Sequence, residues 1–332
     1  LAPGYDCGRW VGDEVGRLKR VRHDQLGFDG LERALAFIEQ HDGACGDRVR
    51  GILVPREVET SSPELLRRTR DEADARKLPM ATHAAYSVLE FHEVVRQHLM
   101  TPIELLERLD MLRPTLNIGH GNFLGESPSL NYSGARDLER MGRHGASISH
   151  CPINIIRRAR TFENWKRYRD AGVNIALGSD TYPRDMIMNM RSASYLGKLM
   201  GHDYFHASAG EVFTAATLGG ACSLGRDDLG RLEEGAQADL VVIDLSGRDG
   251  LRFGPVRDPI KSLVECGVGD DVLTVVVDGR TVVENRRIDG IDVAALRNEA
   301  QVAAEGIWAG LPTWDPLGRT AEEASPWSFP LA

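Results

Sequence analysis

The sequence has no long apolar run: no stretch approaches the roughly 20 consecutive apolar residues that a bilayer-spanning helix needs. Cysteine is scarce, with five among 332 residues (7, 45, 151, 222 and 266), odd in number, widely spaced and without a Cys-x-x-Cys pair. That pattern excludes a disulfide framework and a structural zinc knuckle, and it fits a reducing, cytoplasmic setting. Positive charge is in deficit. Forty Lys and Arg against 49 Asp and Glu give a formal net charge of −9, which argues against nucleic acid or an anionic membrane surface as a partner. Internal repeats and low-complexity segments are absent. So are an initiator methionine and a signal-peptide pattern; the opening "LAPGYDCGRW" reads as the middle of something, and a segment upstream of Leu1 is expected.

What is present is alternation. Short apolar strands ("RVRGILVP" 48–55, "LPMATH" 78–83, "TLNIGHG" 115–121, "GASISHCP" 145–152, "GVNIALGSD" 172–180) are separated by helical stretches at 61–77, 87–99, 101–112, 134–143 and 162–171. A longer helix is expected from Asp185 to Met200. Five β–α units in succession predict a parallel sheet with helices outside. The reactive side chains His83, His120, His150 and Asp180 each fall where a strand ends. In a (β/α)₈ barrel those ends build the active site. Five units do not close a barrel of eight.

From about residue 229 the pattern changes to β runs around Asp278-Gly279, a strong hairpin signal, followed by a helix at 292–308. The expected organisation is a partial barrel over 1–228, a flanking β part over 229–290, and a C-terminal helix and tail over 291–332.

In "NIALGSDTYPRDM" (174–186), Asp180 stands between a strand and a helix. An aspartate there ordinarily caps the helix. The helix start around Pro183 to Asp185 lies several residues on, so Asp185 is the better-placed cap and Asp180 is left for chemistry.

The stretches "THAAYSVLEFHEVVRQHLMTPIELL", "NIGHGNFL", "SHCP", "LGSDTYPRDMI" and "AATLGGACSLGRDDLGRLEEGAQADLVVIDL" resemble the amidohydrolase superfamily. Within it they most resemble the atrazine/triazine chlorohydrolase, N-ethylammeline chlorohydrolase and molinate hydrolase group. The resemblance implies a metal-dependent hydrolase on a TIM-like (β/α)₈ barrel with a small flanking β module. It also implies one divalent metal ion, zinc first, with iron, cobalt or manganese as alternatives. His83 and Asp180 match metal ligands on the fifth and eighth strands, and His120 the substrate-binding histidine of the sixth. The first-strand His-x-His pair of that superfamily occurs nowhere in the chain, so the first three strands are expected to be missing.

The chemistry so implied is hydrolysis of a non-peptide C–N, C–Cl or C–S bond in a small, N-heterocyclic or carbamate-like substrate, by water that the metal acidifies. Asp180 serves as ligand and general base, and His120 polarises or protonates the leaving group. Tyr86, His150, Asn122 and Tyr182 are expected to touch the substrate. Tyr86 also marks a departure: superfamily deaminases carry glutamate three residues after the fifth-strand histidine, and a phenol with a pKa near 10 shuttles protons poorly at pH 7. That favours a better leaving group over an aromatic amine. The alternatives are a cyclic amidine deaminase and, in another class, a catalytically silent barrel remnant acting as a scaffold. A small-molecule substrate and a homodimeric intact protein complete the expectations.

Overall fold

Four apolar segments pair side by side in chain order: β3 (Met80–Ala84), β4 (Leu116–His120), β5 (Ser147–His150) and β6 (Asn174–Leu177), all parallel. The computed structural model that shows this describes residues 3–12, 18–160, 162–246, 251–315 and 317–329. Residues 247–250 of the expected β part and 330–332 of the expected tail lie outside that description. Upstream, β1 (Gly8–Gly12) and β2 (Leu18–Arg22) form an antiparallel hairpin, and a helix follows at Asp24–His41. Neither was anticipated from sequence pattern.

Along β3, Met80, Thr82 and Ala84 are buried under the helices while Ala81 and His83 are half-buried on the opposite face. This is the period-two alternation of a strand whose second face opens on a cavity. The run 48–55, expected as a strand, makes only isolated parallel bridges, Leu53 to Met80 and Pro55 to Tyr5, with Glu57 bridging His83 just beyond it. Among the described residues the sheet does not close into a barrel.

The helices start where capping chemistry places them. Ser62 accepts the Leu65 N–H ahead of Pro63–Arg76, and Ser87 accepts the Glu90 N–H ahead of Val88–His98. Thr101 and Glu104 form a reciprocal capping box on Pro102–Arg108. Each such cap stabilises its helix by about 1 kcal/mol. Asp185, not Asp180, caps Met186–Gly201, accepting from the N–H groups of Ile187 (2.9 Å) and Met188 (3.0 Å). Leu31, Leu65, Met80, Ile103, Ile118, Ile148 and Trp165 belong to one continuous core between helices and sheet.

β7 (Leu240–Ile243), β8 (Val272–Val277) and β9 (Arg280–Val283) make a separate antiparallel sheet, with Asp278 and Gly279 in left-handed backbone at the hairpin turn. Between them lies a helix the β pattern did not suggest, Pro259–Cys266. Its Leu263 and Val264 join the main core, and the Val264 carbonyl accepts from Arg191 Nε at 2.9 Å. The helix Val293–Gly310 carries no buried residue.

His150 corrects one expectation. It is fully buried at the end of β5, its ring packed against Phe162 (centroids 4.4 Å apart) and Trp165 (6.1 Å). Strand alternation is the cause: Ser149 and Cys151 take the cavity-facing positions, so the residue between them faces the helices. Neither ring nitrogen has a partner among the described residues, and burial, then the nearby His120, depress its pKa to about 3.

A folded-state pKa below the ordinary 6.5 means the unfolded chain takes up the proton first as pH falls. Stability from neutral His150 is therefore complete above about pH 6.5 and is lost from there toward pH 3, at about 1.4 kcal/mol per pH unit per such group. Urea unfolding across that window is expected to show a shallower acid limb for His150→Leu; an unchanged slope would show that His150 is not buried in its neutral form.

Candidate active site

The C-terminal ends of three strands bring His83, His120 and Asp180 together. His83 is the fourth residue of β3, His120 the last of β4, and Asp180 follows β6 by three residues. The imidazoles of His83 and His120 lie stacked, centroids 5.3 Å apart and planes 17° from parallel. His120 Nε2 is 3.7 Å from Asp180 Oδ2, and the Asn154 amide donates to that same oxygen.

Two backbone features make the convergence possible. His83 pairs in register with Gly119, where a Cβ would sit 2.6 Å from His83 Cδ2; only glycine lets the ring lie across β4. His120 (φ 75°) and Asp180 (φ 54°) both adopt left-handed backbone, which turns their side chains at the strand exits. For non-glycine residues that conformation costs about 1–3 kcal/mol each and concentrates at functional sites.

Two cavities meet at this trio. The outer one is completed by Glu57, Tyr86, Asn122, Asn154, Ile155, Arg158 and Arg160. The inner one runs down the sheet face past Val54, Arg56, Asn117, Ser149 and Cys151. Asn122 is buried at the outer cavity, and its Oδ1 has no hydrogen-bond partner among the described residues, which leaves an acceptor for a ligand donor. The Tyr86 hydroxyl donates to Glu59 Oε1 at 2.6 Å, and Arg160 donates to the Tyr86 carbonyl at 3.3 Å.

Tyr182 does not join them. It is 70% exposed and lines neither cavity; the Arg157 guanidinium lies 4.5 Å over its ring and donates to its carbonyl and hydroxyl. The turn ahead of the Asp185 cap carries the ring outward. Conversely, sequence reading passed over Glu57, Glu59, Asn154, Arg158 and Arg160. Glu57 and Glu59 lie two and four residues past the 48–55 run, as Asp180 lies three past β6, a signal that was legible. The arginines lie past the short helix Pro152–Arg157 and had none.

Burial lowers the pKa of His83, and burial followed by the charge of His83 lowers that of His120 to about 4. Both rings are neutral at pH 7 and keep a lone pair for a cation or a hydrogen bond. Burial, then Asp180, raise the Cys151 thiol to about 12, so it is no nucleophile at neutral pH. Neutral imidazole and carboxylate donors at an open cleft suit zinc and its first-row neighbours. Among the described residues, however, no group of three His, Cys, Asp or Glu is gathered closely enough to hold an ion. The donor chemistry of His83, His120 and Asp180 fits a divalent cation.

Known proteins bear on this arrangement. A 5-methylthioadenosine/S-adenosylhomocysteine deaminase of Natronomonas pharaonis is 31% identical over 275 residues, 82% of this chain and 61% of that protein; the chain thus spans about three-fifths of that relative's length. The crystal structure of an adenosine deaminase from Xanthomonas campestris with bound zinc superposes with a TM-score of 0.75 at 26% identity, covering 86% of this chain and 63% of that one. The atrazine chlorohydrolase TrzN of Arthrobacter aurescens, complexed with zinc, gives 0.71 at 26% identity, covering 82% and 59%. The fold is thus α/β of the (β/α)₈ type, present in part. The amidohydrolase family model matches residues 31–282, about three-quarters of the sequence. The chain belongs to the amidohydrolase family.

Proposed function

We propose that the intact protein is a zinc-dependent hydrolase that cleaves the exocyclic C–N bond of an aminopurine nucleoside, releasing ammonia. The observation that carries this reading is the meeting of His83, His120 and Asp180 at one cleft. The names of the relatives, all adenosine-type deaminases among those first in similarity, direct the choice of bond.

His83 and Asp180 would hold the cation, together with further ligands that are not gathered around them among the described residues. A divalent cation so held acidifies water toward pKa 7 and furnishes the nucleophile at neutral pH. Asp180, exposed enough to meet the water, accepts one of its two protons and returns it to the departing amine. His120, neutral by burial, polarises the ring carbon through a hydrogen bond to the substrate. Asn122 Oδ1 accepts from the base edge, and Arg158 and Arg160 form the rim of the cleft. The superposition on TrzN and the phenol at position 86 favour a second reading: displacement of halide or thiolate from an activated ring carbon, which needs no proton delivered to the leaving group.

The discriminating assay offers adenosine, 5′-methylthioadenosine and chloro-, thio- and amino-substituted triazines to the intact, zinc-loaded protein. Ammonia from the aminopurines supports deamination, and chloride or thiol release alone supports the second reading. Asp180→Asn is expected to keep the fold and lower turnover at least a hundredfold; near-normal turnover would remove it as the base. His120→Ala is expected to cut turnover while zinc content is retained, and parallel loss of both would make it a ligand. Gly119→Ala is expected to reduce zinc affinity by about tenfold or more, because the new methyl displaces the His83 ring. Unaltered zinc affinity in that variant would show that His83 does not bind the ion.

A further inference from the structure

Glu59 is a carboxylate buried to 3% exposure beside the cleft, and its Oε1 receives the hydroxyl of Tyr86, which does line the cleft. Tyr86 is held from three sides. Its hydroxyl donates to Glu59 (2.6 Å), its N–H donates to Glu90 Oε2 (3.2 Å), and its carbonyl accepts from Arg160 (3.3 Å). Glu90 also accepts the Ala85 N–H at 3.1 Å, at a point where Ala85 itself is in left-handed backbone (φ 51°). This framework places the phenol ring 6.1 Å from the ring of His83 and 6.2 Å from that of His120. A tyrosine clamped this firmly, with its proton aimed at a buried carboxylate, is more than a wall of the cavity.

We infer that Tyr86 and Glu59 form a two-residue proton relay at the cleft, with Tyr86 as the group that touches the reacting atoms and Glu59 acting through it as a positioning residue and proton store. The inference rests on the deaminase reading above. Converting an amino-substituted C=N unit and water into a ring N–H, a carbonyl and ammonia moves both protons of the water: one to the amine, one to the ring nitrogen. Asp180 handles the first. For the second, an O–H bond of the attacking water breaks as the phenolic oxygen gains that proton, and the original Tyr86 proton passes to Glu59 Oε1. The return runs in reverse: Glu59 reprotonates Tyr86 as Tyr86 gives its proton to the ring nitrogen. No phenolate accumulates, which agrees with burial and the Glu59 charge holding the phenol far above its ordinary pKa. The poor acidity of phenol is then no obstacle, because the acceptor is a carboxylate one hydrogen bond away.

The test compares the intact zinc-loaded protein with Glu59→Gln, Tyr86→Phe and the double variant, all nearly isosteric, with adenosine and 5′-methylthioadenosine as substrates. A glutamine still accepts the Tyr86 hydrogen bond yet cannot store a proton, so a merely structural Glu59 predicts little change. The relay predicts a fall in kcat of about a hundredfold or more for each single variant with KM changed little, and a double variant no worse than either, as for groups that act as a unit. Independently of turnover, the carboxylate infrared band that Glu59→Gln removes should shift in Tyr86→Phe, also without metal. An active parent whose Glu59→Gln variant is equally active, losses that multiply, or an unshifted band each overturn the relay alone. A parent that binds adenosine and releases no ammonia overturns the deaminase reading and the relay with it.

Discussion

The candidate site depends on the register of one strand pair. His83 stands opposite Gly119 in the parallel ladder of β3 and β4. In that position the imidazole crosses over a residue with no side chain and comes to rest against His120, the next residue along β4. A one-residue slip would carry His83 to the helix-facing side, since side chains alternate with period two. The hydrophobic residues that flank it, Met80, Leu116 and Ile118, are fully buried beneath the helices, and their burial opposes such a slip. Packing on one face of the sheet thus determines chemistry on the other.

Burial then sets the protonation state. His83, His120 and His150 all lose solvent, and each is held below its ordinary pKa with burial as the largest cause. The outcomes differ by location. At the cleft, a neutral imidazole is the form that can ligate a cation or polarise a substrate. In the core, His150 packs in one aromatic cluster with Phe162 and Trp165. The left-handed backbone at His120 and Asp180 is held in place because β4 and β6 are anchored in the same sheet, on either side of β5. The scaffold bears a local cost of a few kcal/mol where the side chains are needed.

Much of this was legible in the linear sequence. The strand–helix alternation from 78 to 200, the caps at Ser62, Ser87, Thr101 and Asp185, and the hairpin at Asp278-Gly279 are local features, and local features are written in neighbouring residues. Asp185 as the cap followed from counting residues after an apolar run. Less legible were the Asp24–His41 helix, the hairpin ahead of it, and the helix Pro259–Cys266. The apolar faces of the two helices acquire meaning only against the core they complete.

By itself, the sequence determined which side chains end which strands, because a run of apolar residues stops where a polar one begins. It therefore placed His83, His120 and Asp180 at strand ends. Which way each residue faces was decided by tertiary structure. His150 ends a strand as His120 does, yet it points into the core, since β5 offers Ser149 and Cys151 to the cavity. Tyr182 follows Asp180 by two residues and is turned to solvent by the loop. Glu59 and Tyr86, separated by 26 intervening residues, share a hydrogen bond that no spacing announces. Long-range pairing arises from how strands register and helices pack, and those depend on the whole buried surface at once.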